Sequence, residues 1–108
     1  MLRVYSELLE IIRALRPVFE EIGRHDSDLA RQGNRALPSA ALNTAEGSRS
    51  RGKNRNARYS DAAGSLQESI AVIEVAEASG FIRQRPEKEL AKMLHIANTL
   101  SKCARAGG

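Results

Sequence analysis

Five cations fall within ten positions of this chain: Arg49, Arg51, Lys53, Arg55 and Arg58, inside the stretch EGSRSRGKNRNARY that spans residues 46 to 59. No carboxylate lies between Gly47 and Tyr59 to neutralise them. Four of the five are arginines. The planar guanidinium fork matches the oxygens of a phosphate better than an ammonium does. The chemistry this pattern suits is contact with a phosphate backbone; the competing reading is a solvated connection kept soluble by its charge. Base stacking is a weaker expectation. Platforms that stack bases carry several aromatic side chains, whereas this chain has only Tyr5, Phe19, Tyr59 and Phe81. Tyr59 falls at helical spacing and reads as core. Binding to RNA or DNA through this stretch is therefore expected to be backbone-directed and weakly sequence-specific.

Other reactive side chains do not form a constellation. His25, His95 and Cys103 are the classical transition-metal side chains besides carboxylates, and no CxxC, HxxxH or Glu-x-x-His pair joins them. His95 and Cys103, eight residues apart, would be turned about 80° from each other around a helix. No strand precedes a glycine-rich phosphate loop, and no serine, histidine or aspartate has the context of a nucleophile. The expectation is no enzyme activity, no metal and no cofactor. Asn43 and Glu46, one turn apart, read as hydrogen-bonding the turn into the basic stretch, with Glu46 or Asn43 meeting one of its arginines. Gly64-Ser65 costs about 1 kcal/mol of helix propensity and is expected to mark close contact with a neighbouring helix.

The chain that positions these residues has 108 residues and a formal charge of +4. That length suits one domain, residues 1–108, with enough burial for a core without disulfides or metal. A single cysteine forbids an internal disulfide and fits a reducing compartment. The N-terminal residues make a poor signal peptide because Glu7 arrives before any long apolar run. No stretch approaches the ~18 apolar residues of a membrane span, so the expected location is cytoplasmic with no membrane partner. The charge is uneven. Residues 24–58 hold 8 basic and 3 acidic side chains, while the segments on either side are balanced to within one charge. Such asymmetry points to an anionic partner.

Periodicity places everything on helices. Val4, Leu8, Ile11, Ile12, Leu15, Phe19 and Ile22 recur at steps of three and four, predicting a helix over roughly 4–23 that Pro17 kinks. His25 to Asp28 offer caps for a second helix over 28–46. Its apolar face is made of small residues, with Pro38 bending it and Gly47 ending it. A third helix, over 55–79, carries Tyr59, Ala62, Ala63, Leu66, Ile70, Ile73 and Ala76. A second stripe, Val72 and Val75, lies to one side and is expected to face another subunit. Gly80 closes that helix and Phe81-Ile82 pack back. A fourth, over 86–105, starts at Pro86 with Glu87 and Glu89 in its first turn. Leu90, Met93, Leu94, Ala97, Leu100 and Ala104 make its stripe, and Gly107-Gly108 ends the chain. Short joints predict an all-α, antiparallel up-and-down four-helix bundle.

The run Asn43-Thr44-Ala45-Glu46-Gly47-Ser48, the basic segment, and Ala63-Gly64-Ser65-Leu66-Gln67-Glu68 together resemble the bacterial four helix bundle family. Its founding members are encoded in intervening sequences within 23S ribosomal RNA genes. Asp28-Leu29 and the run Ser79 to Ile82 are also similar. The chain departs from the pattern in placing the second-helix proline at Pro38, not near Ala41, and in reducing the aromatics early in helix 3 to Tyr59. The resemblance implies a ring-like homo-oligomer, typically a pentamer. It also implies kinship with the accessory variability protein of diversity-generating retroelements, which binds nucleic acid through a basic surface and associates with a reverse transcriptase. The expected function is a non-catalytic, homo-oligomeric nucleic-acid-binding accessory module. The alternative is a protein-interaction scaffold that binds no nucleic acid.

Overall fold

The small-residue face of the second helix decides how the bundle packs. In the computed structural model, which describes residues 1–106, α1 spans Leu2–Gly23, α2 Ser27–Ser48, α3 Gly52–Ala78 and α4 Glu87–Arg105. The described residues contain no strand, and Gly107-Gly108 lie outside them. Each helix packs on the one before it, and α1 meets α4 over a smaller area. At Gly33 a Cβ would lie 2.9 Å from Phe19 Cδ1 and closer still to Cε1. At Gly47 it would lie 2.6 Å from Tyr59 Cδ1. Both glycines are buried beneath aromatic rings that a side chain would displace. Gly47 therefore does not end α2 as expected: it lies inside the helix and gives room to Tyr59, and α2 continues to Ser48.

The core is filled by Leu8, Leu15 and Ile22 of α1, Leu37 of α2, Leu66 and Ile73 of α3, and Met93, Ile96 and Leu100 of α4, all fully buried. α1 runs through Pro17 and α2 through Pro38 as single helices. Asp26 caps α2, its carboxylate accepting the Leu29 N–H at 3.0 Å. At the end of α3, Gly80 has φ +78°. The Gly80 N–H donates to Glu77 O at 3.0 Å and the Phe81 N–H to Ala76 O at 2.8 Å, the two bonds of a Schellman stop. Phe81 then stacks on His25 at 5.2 Å, and Ile82 is buried. Pro86 stands at the cap of α4, just before the first turn.

Several positions fall elsewhere than the spacing predicts. Val72 is 3% exposed. It packs into the chain's own core, so of the expected interface pair only Val75, 51% exposed, is free. Ser69 and Ile96 are buried, while Leu94 is exposed and Ile70 half-buried. Ser69 escapes an apolar stripe because it is polar, yet its hydroxyl donates to Leu66 O at 3.0 Å; Thr44 does the same to Ala40 O at 2.8 Å. Gly64 is exposed, with nothing within 4 Å of where a Cβ would stand, so it is not the close-contact position. Its neighbour Ser65 is: its hydroxyl shares a 3.1 Å hydrogen bond with Ser39 across the α2–α3 seam.

Replacing Leu66 or Ile73 by alanine is expected to cost roughly 2–5 kcal/mol in denaturant titrations. A loss below about 0.5 kcal/mol at both would contradict their place in the core. Gly33→Ala, which forces the Phe19 ring to move, is expected to cost about 1–3 kcal/mol. Gly64→Ala, free of contacts and relieved of a propensity cost, should stabilise by up to about 1 kcal/mol.

Candidate nucleic-acid interface

The basic stretch is not a long loop. Only Arg49, Ser50 and Arg51 join α2 to α3; Lys53, Arg55 and Arg58 lie on the first two turns of α3, which begins three residues earlier than periodicity predicts. The reason is local. Gly52 takes φ +59°, a left-handed conformation that costs glycine little, and this reverses the chain sharply. The serines in the stretch close α2: Ser48 Oγ donates to Ala45 O at 2.7 Å and Ser50 Oγ to Glu46 O at 2.8 Å. The carbonyls of Ala45, Glu46 and Gly47 at the helix end are thus satisfied within the turn, and the arginine side chains are left to solvent. All five cations are exposed.

Only one of the five has a carboxylate partner. Arg49 Nη2 lies 3.1 Å from Glu46 Oε1 in an exposed pair, worth little to stability. Among the described residues Arg51, Lys53, Arg55 and Arg58 have no carboxylate within 4.0 Å. Asn43 does not join this turn: its amide donates back to Ser39 O at 3.0 Å. α3 also starts with no acidic residue in its first turn and no side-chain cap. Cations at a helix N-terminus oppose the helix dipole by about 0.3–1 kcal/mol each at low salt. α4 has the favourable order, with Glu87 and Glu89 first and Lys102 and Arg105 last. In the second turn of α3, Asn56 Oδ1 is buried without a hydrogen-bond partner.

Three further cations belong to the same end of the bundle, and sequence spacing did not disclose them. Gly47 near the end of α2 meets Tyr59. An opening of about 460 Å³ is lined by Met1, Arg55, Tyr59, Cys103 and Ala106, which brings the start of α1 and the end of α4 beside α3. Arg3, Lys102 and Arg105, all exposed, therefore lie at the same end of the bundle as the five. They are separated from them by 44 to 56 residues of chain, and only the fold brings them together. Among the described residues no three His, Cys, Asp or Glu side chains are placed to hold a metal ion, and no helix is long and apolar enough to cross a membrane.

Comparison with known proteins gives no match to any family model, curated protein or solved structure. The resemblance over residues 43 to 68 rests on those residues alone.

Burial pushes the Tyr59 phenol up from its ordinary value; Arg55 beside it lowers it in part, and Cys103 adds to the rise. A phenol raised in the folded state stabilises nothing extra below about pH 10, where both states are neutral. Above that, the unfolded chain ionises first and folding loses ground. Thermal melts of wild type and Tyr59→Phe between about pH 9 and 11 should show the variant losing less stability. Parallel curves would contradict the phenol's burial.

Proposed function

We propose that this protein is a non-catalytic, homo-oligomeric nucleic-acid-binding module whose basic bundle end lies against a phosphate backbone. The observation that carries this reading is the start of α3: cations without carboxylate partners stand at the positive end of a helix dipole, an arrangement that an anion would relieve. Arg51, Lys53, Arg55 and Arg58 would make the contacts, with Arg49 available once it leaves Glu46, and Arg3, Lys102 and Arg105 widening the surface. RNA and DNA share the phosphate chemistry that this surface fits. The bundle reads as antiparallel and up-and-down, supported by the pairing of Phe19 with Gly33 and of Tyr59 with Gly47. The family resemblance supports a ring, typically of five subunits, and names a reverse transcriptase as a partner class. Several copies on one surface would add modest contacts into useful avidity.

The exposed apolar residues support self-association. Val75 and Leu94 stand on α3 and α4, each more than half exposed, and contact with another copy would remove them from water.

Arg51→Ala with Arg55→Ala should weaken binding to all sequences alike. The plot of log affinity against log salt should become shallower by about 1 to 2 units, measured by fluorescence anisotropy on a labelled strand. Thermal stability should barely change, because exposed charges contribute little to folding. Unchanged affinity with lost stability or altered oligomer size would favour a structural loop and the protein-interaction scaffold.

A further inference from the structure

We propose that two copies of this chain join by seating Leu42 of one in the groove between α3 and α4 of the next. The inference rests on the self-association in the proposed function and names the surfaces that make it. Leu42 is 65% exposed on the outer face of α2, an apolar side chain with no place in its own core. Between α3 and α4, Ile70, Leu90, Ala91 and Leu94 line a groove of about 280 Å³ whose charged rim is Glu74, Glu87 and Arg85. Leu94 is itself 55% exposed.

The charges flanking knob and groove are complementary and evenly spaced. Arg35 lies seven residues before Leu42 on α2, and Glu87 seven residues before Leu94 on α4, so both spacings are about 10.5 Å along a helix. Glu74 stands one turn beyond Ile70, within the same groove. Arg85 does not neutralise this rim, because its guanidinium is taken by Glu77. Arg35, Glu74 and Glu87 have no ion partner within 4.0 Å among the described residues. Laying α2 of one copy along α4 of the next, in the same direction, places Leu42 over the groove and Arg35 against Glu87 and Glu74. The C-terminal ends of α2 and α4 both lie beside Tyr59. Copies joined in this way carry their basic ends on the same side.

Knob and groove are different patches, so the contact is head-to-tail and generates a ring or an open chain. This makes a sharp test possible. Leu42→Glu spoils the knob and leaves the groove; Leu94→Glu does the reverse. By light scattering, wild type should exceed the 11.8 kDa of one chain, and each variant should fall to that mass. An equimolar mixture should recover a species of twice that mass, with one intact knob and one intact groove. Both positions are exposed, so circular-dichroism melts should match wild type. Arg35→Glu should loosen the assembly, and adding Glu87→Arg should restore it. A wild-type assembly that survives both leucine changes would overturn this interface while leaving self-association standing. Variants that stay monomeric when mixed would overturn the knob-and-groove pairing. A monomeric wild type would overturn self-association itself, and its nucleic-acid affinity would still be measurable on its own.

Discussion

Everything at the basic end depends on how closely α2 approaches α1 and α3. Two glycines set that distance: Gly33 admits the Phe19 ring, and Gly47 the Tyr59 ring. Ala30, Ala36, Ala40 and Ala41 are buried along the same helix. A ring buried over a glycine is held from both sides, so α3 is fixed to α2 near the end of the latter. Gly52 then reverses the chain so that α3 begins two turns before Tyr59. Those two turns, and the short connection before them, stand at the rim of the bundle with their cations outward. The packing constraint and the charge pattern are therefore one design: the glycine–tyrosine contact aims the guanidinium groups.

The electrostatics of the last two chain reversals differ in kind. At the α3–α4 joint Arg85 pairs with Glu77, and the Arg83 backbone N–H donates to the Glu21 carboxylate at 3.1 Å. α4 then starts with acid and ends with base. At the α2–α3 joint the serines satisfy the backbone and the cations, except Arg49, are left unpaired. A helix that starts on cations with no acid in its first turn, as α3 does and α4 does not, departs from local consistency, and such departures gather at functional sites. The free cations cost stability in the isolated chain and favour an anionic partner.

Four helices and most of the core were legible in the sequence, because apolar spacing at three and four residues survives in α1, α2 and α4. The third helix was less legible. It is apolar on several sides, so spacing alone could not tell Val72, which is buried, from Val75, which is not. Thr44 was legible on the small-residue face of α2, but Ser69, a buried polar residue whose hydroxyl bonds its own helix, was invisible to a hydrophobic pattern. Polar, glycine-containing residues 50 to 54 read as loop, yet Gly52 and its left-handed turn let the helix start there. The five cations of the stretch were legible as a cluster. Their companions Arg3, Lys102 and Arg105 were not, since nothing local in the chain says that the start of α1 and the end of α4 meet the start of α3.

The central claim, that this end of the bundle holds a phosphate backbone, is tested most directly with the wild-type protein. Its mobility shift on labelled RNA, single-stranded DNA and duplex DNA would be measured at about 50 and 200 mM salt. If three to five phosphates are neutralised per subunit, affinity for at least one of them should fall by about 16- to 500-fold between those concentrations. Absence of any shift at the lower salt, or an affinity that salt does not change, would contradict the account.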